Sequence, residues 1–203
     1  AHQIGTPLTS MIGWITLLKE KQPDSTSLKE IEKDIARLNL ITERFSKVGS
    51  IPELHPNDLV ESIKITVDYL QKRSSEHIQF HLQLPNKPIL IPLNPQLISW
   101  TIENLIKNGI DAMKGKGVLH IQLKEHPSQI EVLIQDSGSG MKKELASKIF
   151  KPGFTTKTRG WGLGLSLAKR IVEDFHLGKI SVLKTEIGQG TTFQILLKKE
   201  VSV

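Results

Sequence analysis

Asn104 and Asn108 stand one helical turn apart, with Asp111 three residues further on, in a stretch whose apolar residues repeat at helical spacing. Amide oxygens are hard, neutral donors that Mg2+ accepts beside phosphate oxygens and water. Taken alone, the pair reads better as the polar outer face of an ordinary helix. Asp136 closes a later apolar run and is followed by Gly138 and Gly140. A carboxylate there accepts a hydrogen bond from an exocyclic amine, and the glycines leave room for a planar ring. Asp-Ser-Gly is also a common turn sequence. Phe154, Thr155, Thr156, Lys157 and Arg159 then lead into Gly160, Gly162, Leu163, Gly164 and Leu165. Hydroxyls, two cations and a glycine-rich turn that opens a helix suit a triphosphate. Near the start, His2, with Gln3 beside it and Thr6-Pro7-Leu8 following, lies away from the apolar stripe of its helix. A neutral imidazole is a competent nucleophile near neutral pH.

The elements that position these groups follow from periodicity. Residues 2–20 read as a helix with Ile4, Leu8, Met11, Ile12, Ile15 and Leu18 on one face. After a turn around Pro23, Thr26 or Ser27 caps a second helix over 27–48. Two helices of this size cannot bury their stripes alone, so the hairpin is expected to dimerise into a four-helix bundle. Gly49, Ser50 and Pro52 break the pattern, dividing the chain into residues 1–50 and 51–203. The second part predicts a helix from Asn57 or Asp58 to about 73 and strands over 78–84 and 89–91. A helix over 94–113 follows, capped by Asn94 with Pro95 at its first position. Strands over 118–124 and 130–135, a short helix near 143–149, a loop over 151–159, a helix over 162–175 and strands over 179–183 and 191–197 complete the chain. The fold class is α+β: an antiparallel helical hairpin followed by a two-layer α/β sandwich with a mixed sheet. The fingerprints of a dinucleotide fold and of a P-loop are missing.

Composition narrows the function further. The 203 residues carry a net charge of +6, and the first fifty are nearly neutral. This mild excess suits a polyanionic small ligand. With six Phe, one Tyr and three Trp, the basic-aromatic interleaving of a nucleic-acid binder is absent. The chain has no cysteine, which excludes disulfides and thiolate metal sites. No stretch approaches the ~18 apolar residues of a membrane span. A helical pattern that begins without a cap reads as an excised fragment. This part is expected in the cytoplasm without membrane contact of its own, and a membrane-anchored parent stays open.

Taken in order, these stretches resemble the catalytic core of a sensor histidine kinase of two-component signalling. Its nucleotide domain is of the kind shared with type II topoisomerases, Hsp90 chaperones and MutL. Residues 103–112 resemble the N box, 136–140 the G1 box, 150–154 the F box, 160–165 the G2 box and 2–8 the H box. The resemblance implies ATP and Mg2+ as cofactors. It makes His2 the phosphoacceptor, and Asn108, assisted by Asn104, the Mg2+ ligand. It sets Asp136 on the adenine amine, with Gly138 and Gly140 shaping the wall. Residues 151–161 become an ATP lid; Lys157, Arg159 and the backbone of 162–165 hold phosphates, and Thr191 lines the adenine pocket. The implied partners are a second copy through the hairpin and a response-regulator receiver domain docking near His2 at Thr9, Ser10, Gly13 and Trp14; packing of Trp14 within the bundle is the other reading. Two positions depart from the family. Gln3 replaces the usual acidic residue after the histidine and cannot take its proton. That keeps a receiver-domain phosphatase, or a weak or inactive kinase dimer, as the alternative, with Thr6 at the position linked to dephosphorylation. Gly109 replaces an alanine, expected to cost about 1 kcal/mol or less of helix stability without touching the chemistry.

Overall fold

The computed structural model describes residues 2–21, 25–32, 35, 52–156 and 162–200, with side chains in the first helix from residue 10 onward. The chain divides into two compact units, Ala1–Pro52 and Glu53–Val203.

The first unit opens with α1 (His2–Lys21). Helical structure resumes at Thr26, and Ser25 rather than Thr26 or Ser27 stands at its cap: its hydroxyl accepts the Leu28 N–H at 3.4 Å. The third residue of a helix has no partner carbonyl one turn back, so a preceding serine oxygen is the natural acceptor. Ile15 and Ile35 are buried against each other, and Lys19 pairs with Glu32 at 2.8 Å. Met11, Ile12, Trp14, Leu17, Leu18 and Ile31 remain exposed.

The second unit is a five-stranded mixed sheet with helices packed on one face. Its strands are β2 (Ile78–Gln83), β4 (Gly117–Glu125), β5 (Gln129–Asp136), β6 (Lys179–Glu186) and β7 (Gly190–Lys198), in the order β2-β4-β5-β7-β6. Only β2 and β4 run parallel, as their connection through a helix requires. β1 (His55–Asp58) and β3 (Leu90–Leu93) form a separate antiparallel ribbon. β1 went unforeseen because His-Pro-Asn-Asp shows no alternation. β3 starts one residue later than expected. The helices are α2 (Leu59–Gln71), α3 (Pro95–Met113) and α4 (Gly164–Arg170), the last continued by a π-helical turn over Ile171–Phe175.

Caps and stripes explain these helices. Asp58 accepts the N–H groups of Val60 at 2.9 Å and of Ile89 at 3.0 Å, joining the start of α2 to the ribbon. Asn94 accepts the Leu97 N–H at 3.1 Å and Pro95 opens α3 as expected. Ile98, Ile102, Leu105 and Ile106 of α3 then pack with Leu59, Ile63 and Val67 of α2 on Leu119, Ile121, Ile134 and Ile195 of the sheet. Burying each such side chain is worth about 1.5–3 kcal/mol. The helix expected near 143–149 is instead two short 3-10 turns, Lys143–Leu145 and Lys148–Phe150. Neither has a side-chain cap, and short runs without caps favour the tighter turn. α4 begins two residues late because Gly162 has φ +63, outside helical space.

Candidate functional site

The site lies where α3 crosses the end of β5. Asp136, the last residue of β5, is 3 % exposed. Its Oδ1 accepts the Gly138 N–H at 2.8 Å. Burial pushes the Asp136 carboxyl up from its ordinary value, and the N–H groups of Gly138 and Thr191 pull it back down. Thr191 stands directly across the β5–β7 ladder from it, so the two side chains share a face.

Close approaches form the walls. A methyl at Gly109 would come within 3.0 Å of the Asp136 Cβ and 3.1 Å of the Leu119 Cδ1. Position 109, expected to leave the chemistry untouched, thus lies directly against the Asp136 side chain, and α3 approaches the carboxylate through this glycine. A methyl at Gly138 would strike Ala112 at 2.7 Å. Gly140, at φ +60, passes so close to the Glu186 carbonyl that a methyl would lie 1.9 Å from its oxygen. The β6–β7 turn closes over this glycine turn, with Gly188 N–H on the Ser139 carbonyl at 2.8 Å and Met141 N–H on the Thr185 hydroxyl at 3.0 Å.

The opposite wall joins α3 to α4. A methyl at Gly164 would come within 3.0 Å of Asn104 Oδ1, and Asn104 Nδ2 is buried with no partner among the described residues. An orphaned buried donor costs about 1–3 kcal/mol unless a ligand satisfies it. Among the described residues no side chain caps the start of α4, which leaves its first N–H groups, at the positive end of the helix, for another acceptor. Gly153 N–H meets the Gly162 carbonyl at 3.1 Å, joining the two ends of the loop expected to be a lid. Buried amide nitrogen, open helix start and close-packed glycines fit a phosphorylated, ring-bearing ligand.

Asn104, Gly164, Gly138, Gly140, Asp136 and Thr191 are thus brought around one end of the sheet. Asn108, Leu163 and Leu165 are half-buried; Phe154 is half-buried against the core; Asp111, Thr155 and Thr156 are exposed. Lys157, Arg159 and Gly160 lie outside the described residues. His2, Gln3 and Thr6 belong to α1, with side chains outside the described ones. Among the described residues no group of three or more His, Cys, Asp or Glu gathers to hold a metal. The amide oxygens of Asn104 and Asn108 on α3 are hard, neutral donors of the kind that Mg2+ accepts.

Two residues escaped sequence reasoning. Thr185 is buried and bridges Met141 to Thr191. His176 is buried, its Nδ1 2.7 Å from the Ile171 carbonyl and its Nε2 accepting the Asn94 N–H at 3.1 Å. It fastens the end of the π turn to the cap of α3. Its neighbours Asn94 and Ile171 are far away in sequence or on its own turn, so only the strand period at Thr185 carried a hint.

The sequence model of the histidine kinase-, DNA gyrase B- and HSP90-like ATPases matches residues 94–201, which hold α3, the glycine turn, α4 and the last two strands. The chain belongs to this family, as a sensor histidine kinase catalytic core. The kinase core is 31% identical over 209 residues to sporulation kinase D of Bacillus subtilis (strain 168), covering all of this chain and 41% of that protein. It spans less than half the length of the curated relatives it matches. The catalytic domain of histidine kinase ThkA is 31% identical, with a TM-score of 0.67, over 73% of this chain and 97% of that one. ThkA solved in complex with response regulator protein TrrA covers 98% of this chain and 60% of that chain, at 27% identity and a TM-score of 0.69. Among the described residues of the kinase core, no helix is long and apolar enough to cross a membrane.

Proposed function

We propose that this kinase core binds ATP with Mg2+, transfers the γ-phosphoryl group to His2 and passes it to an aspartate of a response-regulator receiver domain. Asp136 carries the reading: a buried carboxylate at a strand end, walled by glycines and facing the helix that bears Asn104 and Asn108. Asp136 accepts a proton of the adenine amine. Asn108 and Asn104 hold Mg2+, which supplies charge neutralisation on the phosphate oxygens when bound. Thr155, Thr156, Lys157, Arg159 and the backbone of 162–165 take the phosphates.

The phosphoryl step is an in-line displacement. A nitrogen lone pair of the neutral His2 imidazole attacks the γ-phosphorus. An N–P bond forms as the bond to the bridging oxygen breaks, and ADP leaves with that electron pair. The imidazole proton passes to water or to another carboxylate, since the Gln3 amide has no basic site. In the second transfer a receiver aspartate oxygen attacks the same phosphorus and the N–P bond breaks. ThkA's complex with TrrA supports a regulator as the acceptor for this chain also. The hairpin supplies the acceptor histidine and, through the apolar residues α1 leaves exposed, a surface for a second copy.

Incubation with γ-labelled ATP and Mg2+ is expected to leave acid-labile label on the wild type and none on His2→Ala. Gln3 and Thr6 favour a second reading, a receiver-domain phosphatase or weakly active kinase dimer. It predicts nucleotide binding with negligible label that Gln3→Glu raises.

A further inference from the structure

Four residues line up across the sheet at the nucleotide site. The register sets Leu119 against Asp136, Asp136 against Thr191 and Thr191 against Thr185. Directly opposed residues of antiparallel strands send their side chains to one face, and all four are buried. Thr185 is the outermost member of the row, one strand beyond the residues that border the ligand.

Its hydroxyl is a junction. Thr185 Oγ1 accepts the Met141 N–H at 3.0 Å. It lies 3.1 Å from Thr191 Oγ1, 3.3 Å from the Gly190 carbonyl oxygen and 3.4 Å from the Met141 carbonyl oxygen. A hydroxyl has one proton and two lone pairs. The amide of Met141 takes one lone pair. Both carbonyls can only accept, so the Thr185 proton goes to one of them. The remaining lone pair then receives the Thr191 O–H. The reverse assignment would leave Thr185 pressing a lone pair against two carbonyl oxygens with no proton between them. With its own proton committed to Thr185, Thr191 turns only lone pairs elsewhere. The Asp136 and Thr191 side chains thus both present acceptors, and neither presents a donor.

We propose that Thr185 is a specificity-determining positioning residue. By holding the Thr191 hydroxyl as an acceptor, it makes the site select a purine with an exocyclic amine at C6 over one with a carbonyl there. The proposal rests on the adenine-nucleotide reading of Asp136. An amine brings two N–H donors, one for Asp136 and one, in direct contact, for Thr191. A carbonyl at the same place meets lone pairs on both sides. A polar site discriminates most strongly where the wrong group leaves buried partners unpaired.

The test is the ratio of ATP to ITP dissociation constants, by calorimetry with Mg2+ on the whole 203-residue chain. The two nucleotides differ at C6 and in the protonation of N1. Thr185→Val keeps the side-chain shape and frees the Thr191 hydroxyl to turn and donate. The preference for ATP is expected to fall about tenfold, the worth of one such hydrogen bond, and Thr185→Ser is expected to restore it. Thr185→Cys, whose thiol bonds weakly, gives a second variant shifted the same way. A ratio within one variant does not depend on the fraction folded. Equal weakening of ATP and ITP in Thr185→Val, or a serine variant that behaves like valine, overturns the proposal. Wild-type protein with no preference for ATP contradicts the adenine reading beneath it, and that outcome appears before any variant is made.

Discussion

Gly109 shows how one side chain's absence shapes a site. Alanine there would gain up to about 1 kcal/mol of helix propensity, yet its methyl would meet the Asp136 Cβ at 3.0 Å and the Leu119 Cδ1 at 3.1 Å. Gly109→Ala is therefore expected to leave the thermal midpoint nearly unchanged while weakening ATP binding about tenfold, because small displacements of an oriented group cost heavily; a calorimetric titration reads it. At this scale the sequence was informative where chemistry and spacing coincide. Asp136 before Gly138 and Gly140, and Asn104 beside Asn108, could be named because few other residues make that pattern. Thr185 could not. Threonine is a common strand former, and its role comes from partners on two separate segments, Met141 and the start of β7. Gly109 was seen, but the carboxylate against it was not, since that approach depends on how α3 crosses the sheet.

At the scale of elements, α3 was legible end to end because its cap, its Pro95 and its stripe agree. The π turn was not, because nothing local marks it. It is held by His176, whose ring Nδ1–H and backbone N–H both reach the Ile171 carbonyl while Nε2 accepts from Asn94. Those partners require the neutral ring, and burial lowers its pKa, with the Ile171 carbonyl opposing the shift. A histidine with a depressed native pKa binds its proton more readily unfolded. Its contribution is thus full above the ordinary imidazole value, about 6.5, and is lost as pH falls below that value towards the native pKa. Urea denaturation at a series of pH values is expected to show stability falling on this acid side. His176→Gln should flatten that part of the slope. A variant that keeps the wild-type slope would place the titration elsewhere.

For the whole molecule, the mixed sheet and its helical layer follow from the alternation and caps along the second unit, whereas the strand order is set by pairings distant in sequence. The short ribbon of β1 and β3 does not, because it pairs four residues with four others across more than thirty positions. In the first unit α1 leaves Met11, Ile12, Leu17 and Leu18 exposed, with Trp14 at 66 %. A lone hairpin cannot cover such a face, and a second copy of the same face is self-complementary about a two-fold axis. Sedimentation equilibrium is expected to give a dimer for the wild type. Leu18→Glu, which buries a charge in that interface, should shift it towards monomer.

The nucleotide site is the centre of this account, and ATP titration of wild type against Asp136→Asn measures it most directly. The asparagine keeps the size of the side chain but replaces an acceptor-only carboxylate by an amide that also donates. Saturable, Mg2+-supported ATP binding is expected of the wild type. At least about a hundredfold loss is expected in the variant, the scale on which removal of a buried charged hydrogen bond to the ligand acts. Equal affinity in the two proteins would contradict it.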